Sequence, residues 1–333
     1  MTTPKTKNPH TGQLEAETAQ GSGNIAKHSA RVERYAKAHA RSRDMLKYLY
    51  AQVDNPGSTQ LPRGDLKRLV VAMEGCGNYL VFRNYFTVNQ VKLTKAQFCK
   101  KHHLCPLCAI RRGAKQVQAY SERHTAILSD NPQLRTSLLT MTVKNGSDLE
   151  ERFEHLQRAI TKLTRKRTRA LTGSRDKTEF TKIHGAVGTY EVTNKGKGWH
   201  PHTHMIVLHD EDIDTEALAV EWHNITGDSW VIDLRPIQNP TDVGSDFVEV
   251  FKYAIKFSDL SLQDNYNAYV TLRGRRLVFS FGLFQGVQVP ETMLDDELKD
   301  LPYIEMLYCY FGTEYVLTSS SHAKFDITEE EEA

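Results

Sequence analysis

No apolar run in the chain approaches the roughly 20 residues needed to cross a bilayer, and no signal peptide opens it. Those absences exclude a helical membrane protein and predict a cytoplasmic location. Neither sign of charge dominates: 43 Lys and Arg stand against 41 Asp and Glu, a net +2, which excludes a global polycation. No Gly-x-x-x-x-Gly-Lys-Ser/Thr occurs, so no recognisable nucleotide-hydrolysing motor is encoded, and there are no internal repeats. Cysteine is scarce, five in 333 residues, yet three of the five crowd into Cys99, Cys105 and Cys108. Without a secretion signal, that crowding points to metal binding in a reducing compartment, not to disulfides.

What is present is a globular composition, 39% hydrophobic and 25% charged, enough for one large or two smaller domains. Residues 1–23 are polar and aperiodic and read as a disordered tail. Residues 24–53 carry helical periodicity with many interspersed cations, a face better read as solvated than as DNA-binding. A break at 54–58 leads to a second helix over 66–73 and a strand over 79–86.

Then comes Phe98-Cys99-Lys100-Lys101-His102-His103-Leu104-Cys105-Pro106-Leu107-Cys108. A Cys-x-x-Cys turn brings two thiolates onto one zinc, because a tetrahedral site needs closely spaced ligands from tight loops. Cys99 offers a third ligand. Cys76 is the best fourth, with His102 and His103 as alternatives. A helix over 109–129 follows, and its first turns carry Arg111, Arg112 and Lys115, side chains suited to phosphate contact.

Asp130-Asn131-Pro132 looks like a domain joint. The spacing predicts a strand over 138–143, a helix over 148–171 with Leu149, Phe153, Leu156, Ile160 and Leu163 inward, and a strand over 186–193. This last strand pairs as a hairpin, across the Lys195–Gly198 turn, with Trp199-His200-Pro201-His202-Thr203-His204-Met205-Ile206-Val207-Leu208. Alternation along a strand puts His202 and His204 on one face, where two imidazoles can grip one metal ion. Glu191, opposite the neighbourhood of His202, is the candidate third ligand of an open, catalytic site.

A helix is predicted over 212–224, a strand over 230–237, and a helix over 245–256 on which Glu249, Tyr253 and Lys256 share a face, with Lys252 beside them. A phenol of ordinary pKa near ~10 is a poor nucleophile at neutral pH, but a neighbouring ammonium favours its phenolate. A glutamate one turn earlier can act as general base toward water. Residues 269–282 read as a hairpin or adjacent strands with a basic turn. Residues 291–333 read as a peripheral segment and an acidic tail.

In this order the pieces resemble plasmid rolling-circle replication initiator (Rep) proteins of the HUH endonuclease class. The resemblance rests on the cysteine run with Arg111-Arg112, on Leu138-Leu139-Thr140-Met141-Thr142-Val143-Lys144-Asn145, on His200-Pro201-His202-Thr203-His204, and on Glu249 through Lys256. Arg275-Arg276-Leu277 adds to it, and the whole covers roughly residues 76–285. Thr203 departs from the bulky apolar residue usual between the histidines, but is strand-compatible. His103 stands where an arginine is usual.

The resemblance implies an α+β fold, an HUH-type antiparallel nuclease core flanked by helices with an N-terminal helical, zinc-binding module. The expected organisation is a tail (1–23), a DNA-binding module (24–130), an endonuclease domain (131–290) and a peripheral acidic segment (291–333). It implies Mg²⁺ or Mn²⁺ at His202, His204 and Glu191, and structural Zn²⁺ at Cys76, Cys99, Cys105 and Cys108. It further implies nicking of one strand at a plasmid origin by Tyr253, leaving a 5′-phosphotyrosine and a free 3′-hydroxyl, with Lys256 stabilising charge and Glu249 activating water at termination. The partners implied are origin DNA, duplex and single-stranded or hairpin, touched by Arg111, Arg112, Lys115 and Lys252, with a host helicase and a single-strand-binding protein; a homodimer is compatible. Two alternatives stay open: a mobilisation relaxase or transposase of the same class, and a non-catalytic zinc-containing DNA-binding regulator.

Overall fold

The computed structural model describes residues 25–55, 60–237, 244–251, 260–299 and 301–322. The expected N-terminal tail, the acidic end, Lys252, Tyr253 and Lys256 lie outside the described residues. In chain order the elements are α1 (Ile25–Asp54), α2 (Arg63–Glu74), β1 (Tyr79–Tyr85), β2 (Gln90–Ala96), α3 (Pro106–Asp130), β3 (Arg135–Thr142) and α4 (Leu149–Leu171). They continue with β4 (Ile183–Asn194), β5 (Trp199–His209), α5 (Thr215–Thr226), β6 (Ile232–Pro236), α6 (Gly244–Phe251), α7 (Leu262–Leu272), β7 (Val278–Gly282), β8 (Ile304–Phe311) and β9 (Glu314–His322). The architecture is α+β with antiparallel sheets.

Two compact units form: Arg112–Val289, and the residues up to Arg111 joined by those from Pro290 onward. The division falls at 111/112, not at the 130/131 joint expected from Asp130-Asn131-Pro132, because one helix, α3, runs through the region without a break. The C-terminal segment is not peripheral. β8 pairs antiparallel with β1, and the sheet runs β2-β1-β8-β9. Tyr35, Met45, Leu46 and Leu49 of α1 and Leu66, Leu69 and Met73 of α2 are buried in this unit.

The other unit is built on a five-stranded sheet of order β6-β3-β5-β4-β7, with the histidine strand at its centre. β4 and β5 are apolar on alternate residues, and one face, with Tyr190, Val192, Met205 and Val207, joins the main core. Against that face lies α4. Asp148 caps it by accepting from the Glu151 amide at 3.0 Å, and Glu150 and Glu151 in its first turn suit the positive helix end. Its Leu149, Phe153, Leu156, Ile160 and Leu163 are all buried, each adding about 1.5–3 kcal/mol relative to exposure.

One expectation fails here. Tyr269–Leu272 is not strand but the end of helix α7, which Ser261 caps by accepting from the Asp264 amide at 3.0 Å. Only Val278–Gly282 is strand, and it pairs with β4 at the sheet edge.

Candidate metal centres and the site they build

The β4–β5 ladder sets Glu191 opposite His202 and Thr189 opposite His204. Directly paired residues point to one side of a sheet, so the carboxylate and the two imidazoles share the face turned away from the main core. The register is pinned at its turn. Gly198 has φ +84°, and a β-carbon there would come within 2.6 Å of the Gly146 carbonyl oxygen, so only glycine fits. Trp199 and Gly146 then exchange backbone hydrogen bonds of 2.7 and 3.0 Å.

Glu191 is fully buried, and its Oε2 lies 3.3 Å from His202 Nε2 and 4.0 Å from His204 Nε2. Ligand atoms each about 2.1 Å from a common ion lie roughly 3–4 Å from one another, so these spacings fit a shared divalent cation. The ring nitrogens facing away are engaged. His202 Nδ1 donates to the His200 carbonyl at 3.3 Å, and His204 Nδ1 sits 2.8 Å from Thr140 Oγ1 on β3. Both contacts leave the Nε2 lone pairs for a metal, the arrangement by which outer partners orient ligating histidines. Two imidazoles and a carboxylate suit Mn²⁺, Zn²⁺ or Mg²⁺. Thr203, between the histidines, is buried on the opposite side of the strand and donates to the Thr189 carbonyl at 2.8 Å, so its hydroxyl is satisfied.

Helix α6 lies over β4 and β5. Thr189 Oγ1 donates to the carbonyl of Val250, which ties this helix to the ladder position facing His204. Phe247, Val250 and Phe251 are buried, with Phe251 stacked on Tyr120 of α3 at 5.2 Å. Glu249 belongs to α6, although its side chain is not among those described. Tyr253 follows Phe251 by two positions in the sequence.

In the other unit four thiols converge. Cys76 Sγ lies 3.5 Å from Cys108 and 3.7 Å from Cys105, and Cys99 lies 3.5 Å from Cys108. A tetrahedral zinc with Zn–S of about 2.3 Å places its sulfurs about 3.8 Å apart, so the cluster fits that ion. The fourth donor of the group is Cys76, not His102 or His103, whose rings pack edge-on against each other at 4.2 Å. Burial and then the neighbouring His102 push His103 down to about 3. Cys108 and the other cluster thiols favour the Cys105 thiolate by hydrogen bonding, while contact with Cys105 pushes Cys99 and Cys108 up. The Cys99 amide donates to Cys76 Sγ and Ser42 Oγ lies by Cys105 Sγ, both at 3.3 Å. After Cys76 the chain turns at Gly77, φ +74°, where a β-carbon would fall 2.3 Å from Leu107.

The cations of α3 are placed differently from the sequence reading. Arg111 is 2% exposed: its Nε donates to the Met293 carbonyl at 2.7 Å, Nη1 to Tyr35 Oη at 2.9 Å and Nη2 to Asp295 at 2.6 Å. It is a structural cation, not a phosphate contact at the surface. Lys115 is also buried and Arg112 half-buried.

Sequence reasoning passed over Thr140, although the alternation of Leu138 to Thr142 carries the signal: Thr140 and Thr142 fall opposite His204 and His202. It also passed over Asn145, whose Oδ1 lies 2.6 Å from His200 Nδ1.

A family profile described as replication protein matches residues 90–306, a span that holds the histidine strand, α6 and three of the four clustered cysteines. The chain belongs to that replication protein family. The resemblance to plasmid rolling-circle initiators therefore stands as membership. Curated relatives agree. The chain is 26% identical over 259 residues to a "Protein rep" of Lactiplantibacillus plantarum, covering 70% of this chain and 78% of that one. It is equally similar to a "Protein rep" of Streptococcus pneumoniae serotype 2, covering 72% and 77%. No solved structure matches. This member of the family is a replication initiator, and among its described residues no helix is long and apolar enough to cross a membrane.

Proposed function

We propose that this replication initiator nicks one strand of origin DNA by tyrosine transesterification at the Glu191–His202–His204 centre. The observation that carries the reading is the convergence of a buried carboxylate and two oriented imidazoles on the sheet face that α6 covers. A divalent ion bound there would supply Lewis-acid charge to the scissile phosphate.

Tyr253 attacks phosphorus through its phenolate oxygen. The P–O3′ bond breaks, the departing oxygen takes a proton and becomes the free 3′-hydroxyl, and the 5′-phosphate remains on Tyr253. Phosphodiester is exchanged for phosphodiester, so the nick needs no ATP, which agrees with the missing phosphate-binding loop. Lys256 favours the phenolate and Lys252 contacts the strand. Glu249, one helical turn before Tyr253, takes the proton of the water that ends the reaction. The four cysteines hold a structural zinc beside the origin-binding surface, and Arg112 and Lys115 reach phosphates there. A host helicase and a single-strand-binding protein act on the strands the nick releases.

The test is a denaturing gel of supercoiled plasmid carrying the cognate origin, with Mn²⁺ or Mg²⁺, run with and without protease. Wild type leaves protein on the 5′ end, and Tyr253→Phe or chelation removes both nick and adduct. A nick that survives Tyr253→Phe overturns the nucleophile and makes the centre a hydrolytic nuclease. No nick on any origin leaves a DNA-binding regulator.

A further inference from the structure

Trp230 is 54% exposed, while Trp199 and Trp222, the other two tryptophans of the chain, are 8% and 0% exposed. It is not a loose surface residue. Its ring stacks on the His223 imidazole, centroids 3.9 Å apart and planes within 10°, so one face is held and the exposed remainder faces solvent. His223 is fixed in turn by the last turn of α5, where its carbonyl accepts from Gly227 at 2.6 Å. An indole of fixed orientation with solvent on one side has the form of a stacking platform.

Its place in the fold ties it to the metal centre. The segment before β6 runs along the end of the sheet where His202 lies. The Thr142 amide donates to the Val231 carbonyl at 3.4 Å, and Thr142 Oγ1 lies 3.4 Å from Ser229 Oγ. Thr142 is the ladder partner of His202. Trp230 therefore stands about two strand spacings, roughly 10 Å, from the histidines. The same end of the sheet carries Lys144, whose amide donates to Asp228, and the Lys195 and Lys197 turn, joined to it through Asn145 and the Lys197 carbonyl. These three lysines are exposed. Cations for phosphates and a flat ring for a base lie at one edge, which is the chemistry of a single strand rather than of a protein partner.

We propose that Trp230 stacks one base of the single strand held at the Glu191–His202–His204 centre. At an inter-phosphate step of up to about 6–7 Å, that base is one or two nucleotides from the scissile phosphate. The inference rests on the strand-cleaving reading of that centre, and its test separates the two.

The experiment measures binding of a mixed-sequence DNA oligonucleotide of about 12 nucleotides to the full chain in chelator, by intrinsic fluorescence and by a labelled-strand titration. Because Trp199 and Trp222 are buried, quenching by the strand reports Trp230. Trp230→Ala is expected to lose the quench and to weaken binding about 5- to 150-fold, with Trp230→Phe retaining most of the affinity. The slope of affinity against salt stays unchanged, since no phosphate contact is removed. Wild-type affinity in Trp230→Ala, or an unchanged quench, overturns the proposal. So does a variant that binds DNA normally but ceases to self-associate, which would make Trp230 a protein contact. Binding in chelator requires no cleavage, so an active Tyr253→Phe protein would end the cleavage reading and leave the stacking result to stand alone.

Discussion

Thr140 Oγ1 lies 2.8 Å from His204 Nδ1, one strand away on the same face of the central sheet. The contact fixes which imidazole nitrogen faces Glu191, and outer partners of this kind are worth about 10–100-fold in metal affinity. Thr140→Val should weaken Mn²⁺ binding by that factor in a calorimetric titration, with Thr140→Ser close to wild type. Equal affinity in the valine variant would show the hydroxyl to be a bystander.

Glu191 sits fully buried against two imidazoles, so a cation there should stabilise the fold as well as serve the reaction. At about 100 times its dissociation constant, an ion binding only the native state adds about 2.7 kcal/mol. Mn²⁺ should raise the melting temperature of wild type and leave Glu191→Gln unmoved. An equal rise in both would place the ion elsewhere.

The cysteine cluster makes a stoichiometric prediction. Metal analysis should find one zinc per chain, retained in a His102→Ala, His103→Ala double variant and lost in Cys76→Ser, because Cys76 Sγ and not an imidazole stands with the other three sulfurs. Stripping the zinc should also melt this unit, since structural zinc sites contribute folding free energy directly. Zinc lost from the histidine variant would reassign the fourth ligand.

Asp295 receives Arg111 and Arg31, 2.6 and 2.8 Å away, and the Leu93 amide at 2.7 Å. Burial alone would raise its carboxyl, but the two guanidiniums hold it well below the usual range. A depressed folded pKa adds stability that is complete above the unfolded value near ~3.9 and is lost as pH falls through and below it. Asp295→Asn should cost about 3–5 kcal/mol at pH 7, by leaving buried cations uncompensated, and should flatten the acid limb of the stability curve. Arg111→Ala should likewise lower the melting point while leaving the salt dependence of DNA binding unchanged. A fall in that salt slope would return Arg111 to the phosphates.

Legibility followed the range of the interactions. The Glu191, His202 and His204 face could be read because a period of two is local, and a glycine turn fixes the hairpin to within one register. The convergence of Cys99, Cys105 and Cys108 could be read because their loop is short. Arg111 misled because a cation beside a metal cluster looks like a DNA contact, whereas its partner Asp295 lies 184 positions away. The helical end of α7 was hidden by the strand-favouring residues Tyr269, Val270 and Thr271, which the Ser261 cap and tertiary packing override. The pairing of β8 with β1 was invisible for the same reason as Asp295: nothing in an acidic C-terminal segment names a partner more than two hundred residues earlier.

Because Glu191, His202 and His204 alternate with Tyr190, Thr203 and Met205 along two paired strands, the centre is encoded by counting as much as by composition. Loss or gain of a single residue between Asn194 and His202 would turn the histidines toward the core and the apolar residues toward the strand, although every side chain needed for the chemistry was still present. A change of two would restore the facing. Descendants of this chain should therefore vary freely in the identity of Lys195 and Lys197 while tolerating length changes in that turn only in even steps.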